Sequence, residues 1–135
     1  MATIVYPRGT IILASQVPDQ NGANPKDRPV LLLVDFTDTD AEAYGVAISS
    51  TFPHPPPPTS IPLSYQRQGN CQTGLTSPSV AVCDWPVVVG KTDVISKLGS
   101  CPTTQLAAVL AQLPKLQPPP TFQHTPNAPP GSAGS

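Results

Sequence analysis

The chain has 135 residues, 39% of them hydrophobic, a length suited to one domain with enough apolar side chain to close a core. Seven Lys and Arg against eight Asp and Glu leave a formal net charge of −1. That balance argues against a protein coating duplex nucleic acid through a strongly basic surface, because each neutralised phosphate needs a cation, and leaves open a small site built from a few well-placed groups.

Met1 to Tyr6 carries no basic stretch, and the longest apolar run, Val30 to Val34, is far below the ~18 residues of a membrane span. A soluble, cytoplasmic protein with no membrane partner is expected. Thr10 to Ala14 is short and β-branched and reads as a first strand, closed by the polar stretch Ser15 to Asp27 with Pro18, Gly22 and Pro25. Pro29 opens the run Val30 to Phe36, too short for a typical helix and read as a second, central strand. On the turn after it, Asp35, Asp38, Asp40 and Glu42 form either a solvated acidic turn or a carboxylate pair for acid–base work. The second requires a rigid shell that a Thr/Asp-rich turn does not supply.

Tyr44 to Ser49 gives a third strand and runs into a loop with four consecutive prolines, Pro55 to Pro58. Such a run forms a donor-poor polyproline II segment that stays out of a sheet, as a spacer or as a ligand for a proline-binding partner. Of the 20 prolines, six lie between Pro53 and Pro62 and seven between Pro114 and Pro130, so the excess marks one loop and one tail. Ser60 to Tyr65 is a fourth strand, placed near an edge by Pro62. Ser79 to Asp84 and Trp85 to Val89 are two more extended segments, and five or six short strands point to a small barrel.

One helix is predicted, Pro102 to Leu113, where Leu106, Val109, Leu110 and Leu113 recur at i, i+3, i+4 and i+7 and Pro114 stops the element. Its apolar stripe should close one side of the barrel. The expected organisation is a domain over 1–115 and a Pro/Gly/Ser-rich disordered tail over 116–135. The fold class is mainly β with a C-terminal helix.

Several chemistries fail on their spacing. Gly90-Lys91-Thr92 lacks the earlier glycine of a phosphate-binding loop, since Trp85 stands there. The two histidines fall in the proline loop and the tail, which disfavours a Ser-His-Asp triad. Cys71, Cys83 and Cys101 are odd in number with no CxxC spacing, so neither a disulfide framework nor a metal site is expected, and no cofactor is implied. Cys83, on an apolar strand pattern, is the one expected in the core.

The order of four blocks is more informative: Arg8-Gly9-Thr10-Ile11; Asp27-Arg28-Pro29-Val30-Leu31; Val46-Ala47-Ile48-Ser49-Ser50; and Pro78 to Pro86, with Lys97-Leu98-Gly99 before the helix. This succession, over roughly residues 6–113, resembles the MazF/PemK (Kid-like) toxins of bacterial type II toxin–antitoxin systems. The resemblance implies an SH3-like β-barrel of five to seven strands with a terminal helix, working as a homodimer. It also implies a metal-independent endoribonuclease acting on single-stranded RNA, and a cognate antitoxin protein that binds over the site.

Carried over position by position, the resemblance makes Arg28, before Pro-Val at the start of strand two, the main catalytic group. Ser49, the hydroxyl after the apolar strand-three run, is the second, with Ser50 beside it as a further candidate. Without the family, Arg28 reads as a solvated loop-end charge and Ser49 as a strand-end cap. Chemically, a guanidinium can fork onto two phosphate oxygens while a hydroxyl orients the ribose 2′-OH, leaving a 2′,3′-cyclic phosphate and a 5′-OH without a metal.

Cys83-Asp84-Trp85-Pro86 matches a Cys-Asp-Gln-Pro block in the Kid-like branch, where the Asp is the proposed base, so Asp84 is a catalytic or substrate-binding candidate. The chain departs from that branch in having Val82 for an arginine, Val87 to Val89 where a second arginine follows, and no histidine between Ser15 and Arg28. Lys26, Arg67 and Lys91 are candidates to replace the missing phosphate contacts, with Trp85 or Tyr65 stacking a base. Those departures also sustain an alternative function, a catalytically degenerate family member acting as a binding or interaction protein. A third reading is a toxin of this barrel type acting on a protein target such as a topoisomerase.

Overall fold

The computed structural model describes residues 2–113, so the stretch read as a tail, 116–135, lies outside the described residues. Eight strands and one helix follow in order: β1 Ile4–Tyr6, β2 Thr10–Val17, β3 Lys26–Leu32, β4 Phe36–Thr37, β5 Glu42–Ser49, β6 Ser60–Leu63, β7 Ser79–Gly90, β8 Val94–Ser100 and α1 Thr103–Gln112. A short 3₁₀ turn, Lys91–Asp93, joins β7 to β8. β1 pairs with β4, and the other six form an antiparallel sheet in the order β6-β7-β5-β3-β2-β8.

The expectation of a mainly β fold with a C-terminal helix holds, with one correction: the sheet does not close into a barrel by strand pairing. Its edges, β6 and β8, are bridged by the loop between β6 and β7. Thr73 Oγ1 donates to the Ser64 carbonyl at 2.7 Å beyond β6, and the Ser100 N–H donates to the Gln72 carbonyl at 2.7 Å on β8. Loop backbone occupies the place of a closing ladder. Two glycines allow this approach: a Cβ at Gly99 would fall on the Gln72 carbonyl oxygen, and one at Gly74, whose φ is +75°, on the Leu98 carbonyl oxygen.

Apolar runs rather than strict alternation mark the central strands because both sheet faces are covered. Ile11, Leu31, Val46, Ile48 and Ala81 pack with Val109 of α1, and Leu106, Leu110 and Leu113 complete that cluster. Their chain neighbours Ile12, Val30, Leu32 and Ala47 form a second cluster with Val87, Val89 and Phe36. Val87 and Val89 are therefore core residues.

Trp85 to Val89 is not a separate strand: β7 runs unbroken through Pro86. Ile48 pairs with Ala81 but Val46 pairs with Pro86, so two steps along β5 face five along β7. The surplus residues arch out as a bulge, which accommodates a proline without an N–H and directs Asp84 and Trp85 outward. The acidic turn proves to be structural. Asp35 Oδ1 accepts from the Arg8 N–H at 2.8 Å, Asp38 Oδ1 from the Thr3 N–H at 2.9 Å and Asp40 Oδ2 from the Thr37 N–H at 2.9 Å.

Cys83 and Cys101 are buried and Cys71 is exposed. Burial pushes the Cys83 and Cys101 thiols up to about 11, with the Asp84 carboxylate adding to the shift of Cys83. Since the thiolate is the reactive form, Ellman's reagent at about pH 8 should label Cys71 alone in the native protein and all three after denaturation. Rapid labelling of a second thiol in the native protein would contradict this packing.

Candidate functional site

Pro29 shapes the site through what it lacks. β3 and β5 pair at Val30↔Ala47, Leu31↔Val46 and Leu32↔Gly45, and the ladder stops where Pro29 has no N–H to donate. Continuing that register by two residues sets Arg28 opposite Ser49. The strands part there, and the space becomes a groove of about 420 Å³ whose lining includes Lys26, Asp27, Arg28, Ser49, Ser50 and Ser77.

Arg28 is held on three sides. Its Nε donates to the Val17 carbonyl at 3.0 Å and its Nη2 to the Asn24 carbonyl at 3.4 Å, while its Cζ lies 5.0 Å from the centre of the Trp85 ring. The Val17 contact depends on a bulge in β2: Ala14 pairs with Arg28 but Val17 with Lys26, and Gln16 between them takes a left-handed φ of 59°. Of the five guanidinium N–H donors, two on Nη1 and one on Nη2 remain for a ligand.

The Asn24 carbonyl is positioned by a loop built on Asp19. Asp19 Oδ1 accepts from the Asn21 and Ala23 N–H groups at 2.9 and 3.0 Å, and Oδ2 accepts from Asn24 Nδ2 at 3.0 Å. Those bonds, the Ala23 N–H first, hold the Asp19 carboxyl below its ordinary value of 3.8, with Arg28 a smaller cause. A lowered folded pKa means that the ionised form supports this loop above the ordinary value and that support is lost as pH falls through the lowered one. The Asn21 and Ala23 amide shifts should therefore titrate together in an NMR series from about pH 6 to about pH 2, with a midpoint below 3.8. A midpoint at or above that value would refute the arrangement.

Ser49 Oγ donates to the Thr51 carbonyl at 2.8 Å and accepts from the Thr51 N–H at 3.1 Å, the strand-end cap read from the sequence. It nevertheless lies on the groove wall, and also on the wall of a second groove of about 260 Å³ lined by Gln20, Phe52, Thr59, Val82, Asp84 and Trp85 among others. Asp84 thus stands in the neighbouring groove, apart from Arg28 and Lys26, and its Oδ1 accepts from Gln20 Nε2 at 3.5 Å.

The remaining candidates are scattered. Arg67 and Tyr65 line neither groove. Lys91 Nζ donates to the Asp38 carbonyl at 2.6 Å beside β4. Among the described residues no His/Cys/Asp/Glu cluster could hold a metal, and no helix is long and apolar enough to cross a membrane. The anchors of Arg28, namely the Val17 and Asn24 carbonyls and the Asp19 loop, had one visible signal, the Asn21-Gly22 turn with an Asp two residues before it. Ser77 and Gly74 reach the groove through the loop between β6 and β7, which nothing in its sequence marks, and Leu98 reaches it from β8.

A family model for the PemK-like, MazF-like toxin of type II toxin–antitoxin systems matches residues 7–116. The chain belongs to this family. Its fold agrees. MazF from Deinococcus radiodurans superposes with a TM-score of 0.65 at 16% identity, over 84% of this chain and 96% of that one. Mycobacterium tuberculosis toxin MazF-mt6 gives 0.55 at 21% identity, over 77% and 93%. An endoribonuclease in complex with its cognate antitoxin, from a mycobacterial species, gives 0.57 at 18% identity, over 84% and 98%. Among curated proteins none matches the chain. As a PemK/MazF-like toxin, the protein presents Arg28 and Ser49 at the mouth of the β3–β5 junction, in one groove.

Proposed function

We propose that this toxin is a metal-independent endoribonuclease that cuts single-stranded RNA in the groove between Arg28 and Ser49. The observation that carries this reading is the guanidinium anchored by two backbone carbonyls and an indole face, lining the same open groove as Ser49. In the reaction the ribose 2′-oxygen bonds to phosphorus and the bond from phosphorus to the 5′-oxygen breaks. The 2′-OH proton leaves to water and the departing 5′-oxygen takes one up, giving a 2′,3′-cyclic phosphate and a 5′-OH.

Arg28 forks onto the non-bridging oxygens as their charge grows, a stabilisation realised in the transition state. Ser49 Oγ already gives its proton to Thr51, so its remaining lone pair accepts from the 2′-OH and orients it. Lys26 and Ser50 hold flanking phosphates. Asp84, in the adjacent groove, contacts the neighbouring nucleotide. The partners in this reading are single-stranded RNA, a cognate antitoxin protein seated over the groove and a second copy of the chain, in the cytoplasm.

The test is to incubate the antitoxin-free protein with a long single-stranded RNA in EDTA and map the new ends. Discrete cuts with 5′-OH and cyclic-phosphate termini are expected. Buried valines, Val82 in place of one arginine of the Kid-like pattern and Val87 and Val89 in the stretch where its second arginine follows, favour a second reading, a binding protein that has lost catalysis. RNA left intact across several sequences selects that second reading.

A further inference from the structure

Trp85 is the chain's single tryptophan, and it stands on the bulge that β7 raises opposite β5. Its indole Nε1 donates to the Pro18 carbonyl at 3.2 Å, while Arg28 Nε donates to the Val17 carbonyl one residue earlier at 3.0 Å. The guanidinium and the ring that it covers are thus tied to consecutive carbonyls at the end of β2. With Cζ 5.0 Å from the ring centre, the two also attract each other as cation and π-face. An indole can do both, because it presents a wide π-face and one N–H at its edge.

From this we infer that Trp85 is a positioning residue for Arg28. It fixes the plane of the guanidinium so that the free Nη donors face the groove. A long arginine side chain loses several rotatable bonds of freedom when it grips a phosphate. Trp85 and the two carbonyls order it beforehand, so less freedom is lost during reaction. The ring face that holds Arg28 is thereby occupied, which sets this role against that of a platform for an RNA base.

The inference rests on the nuclease reading for its kinetic consequence but not for its structural one, and the two are tested separately. In the first arm the Arg28 Nε–H resonance is followed by NMR. It should be displaced by the indole ring current and exchange slowly in the native protein, lose both properties in Trp85→Ala and keep slow exchange in Trp85→Phe. An Nε–H unchanged by Trp85→Ala overturns the inference.

The second arm is cleavage kinetics on RNA. Trp85→Ala should lower kcat by about 10-fold with KM within about twofold, and Trp85→Phe should recover most of the loss, since a phenyl ring restores the face but not the N–H. A rise in KM at constant kcat means that Trp85 stacks a base instead, and the inference fails. If the native protein cuts no RNA, the nuclease reading falls while the NMR arm still decides whether Trp85 positions Arg28.

Discussion

Arg28→Ala should lower kcat for RNA cleavage by about 10²- to 10³-fold, the usual cost of removing a preorganised donor aimed at developing negative charge. Arg28→Lys should recover little of this. An ammonium is a point charge and cannot hold the Val17 carbonyl, cover the Trp85 ring and fork onto two phosphate oxygens at once. Because Arg28 is half-buried at a strand end, its removal should leave the melting temperature within a few degrees of the native value, so lost activity is not lost folding. Single-turnover cleavage at saturating RNA, run beside a thermal melt, checks both points. An Arg28→Ala protein cutting within threefold of the native rate would move the chemistry to another cation, Lys26 first.

The second large effect is on stability. Gly99→Ala places a methyl group where the Gln72 carbonyl oxygen and Thr73 backbone already lie, and backbone cannot step aside as a flexible side chain can. About 3 kcal/mol, the upper part of the range for overpacking, is expected, or roughly 10 °C in melting temperature for a domain of this size. Since the same loop carries Gly74, Leu75, Thr76 and Ser77 to the groove, Gly99→Ala should also weaken RNA cleavage at temperatures where the protein remains folded. A melt within about 2 °C of the native protein would show that the loop yields without cost.

Much of the fold was legible because the strong signals were local. β2, β3, β5 and β6 each carry a short apolar or β-branched run, Pro62 announced an edge, and the 3.6-residue stripe of α1 stood alone. β1 and β4 were missed because each is only two or three residues long and held by its partner. β8 was missed because Val94-Ile95-Ser96-Lys97-Leu98-Gly99 looks polar and broken, its glycine being required by a loop distant in sequence. β7 was read as two segments, Ser79 to Asp84 and Trp85 to Val89, because a bulge that carries one strand through Pro86 leaves no periodicity to follow. Of the candidate site, Arg28 and Ser49 were readable through the block pattern, and the two line one groove just beyond the end of the β3–β5 ladder. The Trp85 contact was not readable, because it needs two bulges, in β2 and in β7, to bring distant segments into touch.

The loop from Pro18 to Pro25 has the composition of a segment that tolerates insertions, being polar, exposed and rich in turn-forming residues. Its Asp19 network gives it the opposite character. Pro18 and Asn24, near its two ends, supply carbonyls to Trp85 and to Arg28, so its length sets the distance between two anchors. One residue added or removed between Asp19 and Asn24 changes the reach of the Asp19 carboxylate and displaces the Asn24 carbonyl. A change in the loop's length should therefore disturb Arg28 and Trp85 together, while exchange of a solvent-facing side chain within it should leave both in place.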